Sequence, residues 1–511
     1  MGGQSTRQTS RSRAVEQIVL IGTYEAVRDL AAQLKALGDR VPEPIGCILI
    51  ERCILDPGLP VLGSIDEIEE LEPVLVRCSP TLALVCESAG SDTGPIVGLL
   101  RRLGVRSRVI PALVDLLGDG HQAQPGSLRL PGAPIDVASL IGRTPHPVDT
   151  DSIEQLLRGR RVLITGAGGS IGSEIAARVA SFGPKQLILM ERAENALFEI
   201  DRRIREEFPA VSRCAVLHDV VDADGTLAHL NELHPEIVFH AAAHKHVPLM
   251  EDHPAHAVTN NVFGTKSVVD AAVATGVDRC ILISSDKAVN PSSVMGATKR
   301  LAELYLQGLQ PSCPGTRLGM VRFGNVLGSA CSVIPIWASQ LAFGRPITVT
   351  DERMTRYFMT IPEAATLVIQ SAAIEHDRVH APVFVLDMGE PVKIIDLARR
   401  FCAASGYGPG EAEIVISGAR PGEKLHEELA YTAEQLVPTT HPGISTWSGA
   451  LPESFDLDTM IAELGRVRAS RDRDAVVRVI RALVPEMTSN IGSIAEVKGS
   501  ERVQAPTGAA A

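Results

Sequence analysis

Ser285, Asp286 and Lys287 follow the apolar run RCILIS and set a hydroxyl, a carboxyl and an amine on consecutive residues. An acid beside an amine suits a reaction in which one proton is given while another is taken. An amine acts as a base only if its pKa is brought down, by burial or by a neighbouring cation; the bland alternative is a solvated Asp-Lys loop. Further along, Met295 and Lys299 stand four apart in a helical pattern and so share a face. A thioether cannot take a proton, and simple core packing also accounts for Met295. A second centre lies in RVLITGAGGSIGSEIAARVA, residues 161–180. The buried run VLIT leads into Gly166, Gly169 and Gly172, and a helical pattern follows. Gly166 permits a tight turn, Gly169 lets main chain approach a phosphate, and Gly172 lets the helix pack on the strand. Ser170 and Ile171 open that helix, whose free N–H groups and positive dipole end favour a pyrophosphate. A purely structural turn is the alternative, disfavoured by the placement between strand and helix.

The surrounding residues extend this to a nicotinamide dinucleotide. Glu191 ends the next strand-like run, QLILMER, where an acid can bind the ribose hydroxyls of NAD; Arg192 beside it would instead hold the 2′-phosphate of NADP. NAD is favoured, with NADP as the alternative. Asp219, after another strand, suits an adenine contact or a solvated loop. In HAAA, 240–243, Ala241 and Ala242 are small enough for close approach to the cofactor. Lys245 and His246 follow as candidates for substrate phosphate or sugar, or as a surface pair. Asn261 is expected to position main chain at the site.

These centres need a scaffold. The chain has 511 residues, 45% hydrophobic and 22% charged, enough for two or three domains with real cores. Residues 14–140 alternate strand-like runs with helical patterns and read as a small Rossmann-like module. Its first turn, GTYEAV, has Gly22 alone, so a degenerate scaffold is preferred over a ligand site. A linker is expected over 141–158, and a larger doubly wound α/β domain over 159–450. A helical extension follows at 451–488, and 489–511 has the composition of a disordered tail. The formal net charge of −12 argues against nucleic-acid binding and requires local Arg or Lys for any anionic substrate. The nine cysteines form no CxxC pair, so no metal site is expected and the thiols read as reduced. No apolar run reaches the roughly 20 residues of a membrane span; a cytoplasmic protein without an integral membrane segment is expected.

A family resemblance joins these pieces. HAAAHKHVPLMEDHP (240–254), NNVFGT (260–265), ISSDKAVNPSSVMGATKR (283–300), VRFGNVLGSACSVIP (321–335), MTRYFMTIPEA (354–364) and RPGEKLHEEL (420–429) occur in order. Together they resemble the polysaccharide-biosynthesis UDP-N-acetylglucosamine 4,6-dehydratases, members of the extended short-chain dehydrogenase/reductase superfamily. The likeness covers about 160–435. The N-terminal module also resembles that of the long, membrane-anchored members, whose transmembrane helices find no counterpart in this sequence.

The resemblance implies a Rossmann-type parallel sheet with a C-terminal lobe for the UDP-sugar. It implies that Met295 occupies the place of the usual Tyr base, as is common in these dehydratases, and that Lys299 binds the nicotinamide ribose. It makes Asp286 the acid for the leaving water, Lys287 the base at C5, and Ser285 a hydrogen-bond partner of the C4 oxygen. Arg356 and Arg420 become candidates for the UDP-sugar diphosphate, and Asn325 for the pyrophosphate or the acetamido side; Arg322 is either a further ligand or structural, and Glu423 and Glu427 are expected to cap or pair. The implied substrate is a UDP-N-acetylhexosamine and the implied assembly a homo-oligomer. A UDP-hexosamine 4-epimerase and a non-catalytic, dinucleotide-binding regulatory protein are the other readings. The absent Tyr counts against the first, and the Asp286-Lys287-Lys299 set against the second.

Overall fold

The computed structural model describes residues 17–37, 44–51, 56–86, 94–110, 127–128, 135–136, 140–376, 380–408, 410–431, 436–447, 451 and 455–487. The basic start and the tail expected at 489–511 lie outside the described residues. The chain divides into two compact units. One comprises residues 1–140, 331–348 and 396–415; the other comprises 141–330, 349–395 and 416–511. This division differs from a single cut near 140, because two stretches of the expected C-terminal lobe fall in the first unit.

In the first unit, strands run Val61–Ser64, Gly46–Leu49, Ile18–Gly22, Leu82–Cys86 and Arg106–Ile110 across one parallel sheet. Alternate residues of Ile18–Gly22 face opposite ways. Val19 and Ile21 join a cluster with Leu71, Leu75 and Leu99, while Ile18 and Leu20 join one with Val27 and Ala31. Both faces are therefore dry, as the unbroken apolar runs require.

The second unit repeats the plan on a larger scale. Its sheet runs Arg213–Leu217, Gln186–Glu191, Arg161–Thr165, Ile237–His240, Arg279–Ile283, Arg317–Arg322 and Val383–Leu386, all parallel. Ile444–Trp447 and Val437–Pro438 then add antiparallel edges. Strand order reverses between Arg161–Thr165 and Ile237–His240, the topological switch point at which open α/β sheets bind ligands beyond their carboxyl ends. The stretch expected as a linker carries the helix Thr150–Leu157, capped by Asp149 Oδ1, which accepts from Ser152 N at 3.2 Å. Its Ile153 and Leu157 are wholly buried in the core on one face of the sheet. The helices Leu457–Val467 and Arg473–Leu483 send Met460, Leu464, Val476 and Ile480 into the core of the other face.

Under the sheet's carboxyl edge lies one fully buried ion pair. Arg322 donates from Nε to Glu303 Oε1 (2.8 Å) and from Nη2 to Oε2 (2.7 Å), and both side chains have no exposed surface. Ser284 Oγ donates to the same carboxylate at 2.7 Å, and Arg300 Nη1 lies 3.3 Å from it. Arg322 is therefore structural. It joins the strand Arg317–Arg322 to the helix Val294–Leu309. Removing one member of such a pair leaves a buried charge uncompensated. Arg322→Met is expected to lower the unfolding free energy by about 3–5 kcal/mol. Arg322→Met combined with Glu303→Leu is expected to recover most of that loss; urea denaturation of both variants is the check, and equal loss in the two would contradict it.

Candidate active site

The glycine turn follows the strand Arg161–Thr165. Gly166 has φ +64°, and a Cβ there would stand 2.7 Å from Ala242 N. A Cβ on Gly172 would stand 2.1 Å from Gly166 O. The chain's own backbone thus requires both glycines. A Cβ on Gly169 would meet only Gly166 O, at 3.3 Å, which leaves an open face at the N-cap of the helix Ser170–Ser181. The residues present fit a dinucleotide phosphate there. Ser170 Oγ accepts from Ala330 N at 3.1 Å and walls the loop, and Ile171 is half-buried.

Glu191 ends its strand with both oxygens on main chain. Oε2 accepts from Gly168 N (3.2 Å), and Oε1 from Arg192 N (2.9 Å) and Ala193 N (3.0 Å). Arg192 reaches Asn260 Oδ1 at 3.2 Å and lies 3.7 Å from Asp219, which also caps its own turn by accepting from Val221 N. Glu191, Arg192 and Asp219 thus stand at the end of the turn expected to hold the adenosine. Ala241 N donates to Thr165 O at 3.1 Å, which lays the small-residue loop along the first strand.

Two buried polar devices hold this loop. Asn261 accepts from His244 N (2.8 Å) and donates to His244 O (3.1 Å) and Thr298 Oγ1 (3.1 Å). His240 lies between Thr165 Oγ1 (2.7 Å) and Thr265 Oγ1 (3.0 Å). The Thr265 hydroxyl donates to Asn261 O, so it accepts from His240 Nε2 and leaves Nδ1 to accept from Thr165. Burial, helped by Lys299, holds the imidazole pKa down at about 3, so His240 is neutral. Sequence reasoning singled out Asn261 and missed His240, whose partners come from distant strands and helices.

The strand Arg279–Ile283 leads into the Ser285-Asp286-Lys287 turn. Ser285 caps a short 3-10 turn over Asp286–Ala288, with its Oγ donating to Asp286 Oδ1 at 2.8 Å. Lys287 Nζ donates to the same oxygen at 2.9 Å and to Asn325 Oδ1 at 3.1 Å. Asp286 has no exposed surface, and its Oδ2 has no hydrogen-bond partner. Burial works to lower the pKa of Lys287, but the charges of Asp286 and Glu427 outweigh burial and the opposing charge of Arg356, and the net shift is upward. The resting amine is an ammonium ion.

The helix Val294–Leu309 packs directly over this turn. A Cβ on Gly296 would stand 2.1 Å from Lys287 O. Met295 is buried in the core cluster. Lys299 Nζ donates to Ile283 O at 2.5 Å, and burial lowers its pKa to about 8 against the opposing pull of Glu303. Of the two lysines, Lys299 is the one with a lowered pKa.

The remaining candidates separate into two groups. Lys245 Nζ donates to Ala330 O at 2.9 Å, and His246 directly precedes the helix Val247–Asp252 without a side-chain capping bond. Burial first, then the charges of Lys245 and Arg420, keep the pKa of His246 low, so these three share one positive neighbourhood. Arg420 itself is largely exposed and pairs with Glu423 at 2.6 Å. Arg356, by contrast, is buried. Its Nη1 donates to Thr355 O (2.7 Å) and Leu425 O (3.2 Å), and its Nη2 to Lys424 O (2.8 Å). It clamps the RPGEKLHEEL segment, and its fork faces main chain in place of an open anion site. Glu427 is held 3.8 Å from both Arg356 Nε and Lys287 Nζ. No cluster of His, Cys, Asp and Glu suited to a metal occurs among the described residues. Nor is any helix among them long and apolar enough to cross a membrane.

Switch-point sheet, glycine turn and the Lys299 helix define an extended short-chain dehydrogenase/reductase. Residues 162–448 match the sequence profile of the polysaccharide biosynthesis protein family, and the chain belongs to it. A probable polysaccharide biosynthesis protein, EpsC, of Bacillus subtilis is 46% identical over 350 residues, 67% of this chain and 56% of that protein. The chain thus spans little more than half the length of that relative. A UDP-N-acetylglucosamine 4,6-dehydratase (inverting) of Campylobacter jejuni is 32% identical, covering 52% of this chain and 76% of its own. A UDP-glucose 4-epimerase of Rickettsia conorii is also 32% identical, covering 54% and 79%. The solved structure of Pen from Bacillus thuringiensis has a TM-score of 0.52 at 31% identity, over 58% of this chain and 91% of that one.

The lowered pKa of Lys299 carries a stability consequence. Between about 8 and the ordinary 10.5 the unfolded chain binds a proton that the folded chain does not, so stability rises with pH through that window. Lys299→Met is expected to be more stable than the parent at pH 7 by on the order of 3 kcal/mol. That advantage should shrink as the pH rises from about 8 towards 10.5. Denaturation midpoints at several pH values test this, and an advantage independent of pH would contradict it.

Proposed function

We propose that this chain is a nucleotide-sugar 4,6-dehydratase that converts UDP-N-acetylglucosamine to a UDP-4-keto-6-deoxy-N-acetylhexosamine for bacterial surface polysaccharide or glycoconjugate synthesis. The observation that carries the reading is the 2.9 Å contact between the partly buried Lys287 and the fully buried Asp286, beside a buried Met295 that cannot act as a base. The turn around Gly166, Gly169 and Gly172, with Ser170, Ile171, Ala241 and Ala242 along it and Glu191, Arg192 and Asp219 at its end, would hold a nicotinamide dinucleotide. NAD is favoured. When bound, that group accepts a hydride from C4 of the sugar and later returns it to C6.

The chain's own residues move the protons. The ketone at C4 acidifies the C5 hydrogen, and Lys287, once neutral, removes it. Asp286, protonated by the C4 hydroxyl as that carbon is oxidised, donates through its unpartnered Oδ2 to the C6 hydroxyl, which leaves as water. Ser285 turns its hydroxyl from Asp286 to the C4 oxygen. Lys299 holds the nicotinamide ribose. Lys245, His246 and Arg420 meet the charged part of the UDP-sugar, Asn325 keeps Lys287 in place, and Arg356 shapes this wall by clamping residues 424–427. The reaction belongs in the cytoplasm, in a homo-oligomer. A 4-epimerase is the second reading, favoured by the Rickettsia relative's name, but it has no use for an acid beside an amine.

Purified protein incubated with UDP-N-acetylglucosamine in heavy water should yield a product lighter by one water, with deuterium at C5. Unchanged mass with a new C4 isomer would establish the epimerase instead, and no product would leave a binding protein. Asp286→Asn and Lys287→Ala should each lower turnover by about a hundredfold or more while the dinucleotide stays bound. Near-normal turnover in either variant would overturn its assigned proton-transfer role.

A further inference from the structure

Arg420, Pro421, Gly422 and Glu423 make one turn. Glu423 N donates to Arg420 O at 3.1 Å, and Gly422 has φ +80°. Proline in the second place and a left-handed glycine in the third suit a type II turn, which brings its first and last residues within reach of each other. Arg420 donates to Glu423 Oε1 from Nη2 at 2.6 Å and from Nε at 3.1 Å, while Glu423 Oε2 accepts from Arg420 N at 3.3 Å. The guanidinium side chain is 57% exposed and the carboxylate side chain 12%. The far side of the turn is anchored. Ser292 Oγ donates to Gly422 O at 2.9 Å, and Lys424 Nζ to Val289 O at 2.8 Å. The other acids beside this segment have partners elsewhere. Glu251 accepts from Val294 N and faces Arg473, and Glu428 accepts from Asn290 Nδ2. Of the two arginines that the sequence offers to a diphosphate, Arg356 is spent on main chain, and Arg420 is engaged by a carboxylate three residues away.

We infer that Glu423 is an internal competitor for the diphosphate, a positioning residue that occupies the Arg420 fork in the empty site, yields it when the UDP group enters and takes it back as the product leaves. The inference rests on the reading of Arg420 as a ligand of the UDP-sugar. A guanidinium fork meets a carboxylate and a phosphate with the same donors, so one displaces the other. An ion pair this exposed opens at little cost. A diphosphate carries more charge than one carboxylate, and it enters the positive neighbourhood that Arg420 shares with Lys245 and His246, so it wins the exchange. Until then the pair keeps the fork of Arg420 from closing onto main chain, as that of Arg356 has done. When the product leaves with its diphosphate, the nearby carboxylate recaptures the fork and favours release.

The test is the dissociation constant of UDP, measured by calorimetry in one buffer for the parent, Glu423→Gln, Arg420→Ala and the double variant. Glutamine keeps an oxygen for Arg420 N and removes the charge. Glu423→Gln should bind UDP about two- to fivefold more tightly, the range expected when an exposed ion pair no longer has to be broken. Arg420→Ala should bind it about tenfold or more weakly. In the Arg420→Ala background Glu423→Gln should change nothing, because no fork is left to compete for. Equal tightening with and without Arg420 would mean that the carboxylate only repels an anion at a distance, and would overturn the inference. Weaker binding by Glu423→Gln would make the carboxylate a support for Arg420, and an unchanged constant would give the pair no part in binding; either result overturns it. Unchanged binding by Arg420→Ala would remove the diphosphate role of Arg420 and this inference together, as would a parent that binds no UDP. A parent that shows the expected pattern with UDP but releases no water from UDP-N-acetylglucosamine would remove the dehydratase reading alone.

Discussion

The site depends on a carboxylate that never meets water. Glu303 receives Arg322 through two nitrogens, Ser284 through its hydroxyl and Arg300 from one turn away along the helix. Moving these charges into the interior is costly, and only near-complete pairing recovers the cost. That demand for pairing fixes geometry. The helix bearing Met295 and Lys299 cannot slide relative to the strand Arg317–Arg322 without breaking the fork. The residue leading into the Ser285-Asp286-Lys287 turn is tied to the same carboxylate. Lys299 can then reach Ile283 O, and Gly296 can lie against Lys287 O, because one buried pair has already set the distance between the elements that carry them.

A second layer of charge is built on that frame, and it is incomplete. Asp286, Lys287, Glu427 and Arg356 sum to zero, so the cluster tolerates burial as a whole. Yet one oxygen of each carboxylate lacks a donor. Unmade hydrogen bonds on buried oxygens are expensive, and they are found where a ligand or a proton is to be received. Glu303 differs: both of its oxygens are saturated and the group is a strut. Saturation separates Glu303, which holds the fold, from Asp286 and Glu427, each of which keeps an open oxygen although all three are buried.

The same difference marks how far the sequence could be read. The glycine turn was legible because its spacing between strand and helix is a local pattern, although the approach that requires Gly166 is to the distant Ala242. The Asp286-Lys287 pair and the Met295-Lys299 spacing were legible for the same reason. The charge on Lys287 was not, because Glu427 and Arg356, far along the chain, help to set it. Arg356 read as a diphosphate ligand by residue type, but its buried fork is directed to the carbonyls of residues 355, 424 and 425. His240 offered no signal, since its role lies in two threonines brought from other elements. The stretch at 141–158 read as a linker from its Gly, Pro and Asp content. Only the pairing of Ile153 and Leu157 with the sheet makes its last part core.

The two parallel sheets show that the common plan is not what confers chemistry. Each places a strand before a turn and a helix after it, and each has a glutamate near the end of the neighbouring strand that accepts an N–H from that turn. In the smaller sheet Glu51 Oε1 accepts from Tyr24 N at 2.6 Å, and Tyr24 begins the helix, so the acid fills the place where a phosphate would need donors. In the larger sheet Glu191 accepts from Gly168 N, before the helix begins, and the N-terminus at Ser170 keeps the open face beside Gly169. Function follows the turn and its acid, with the sheet as common support.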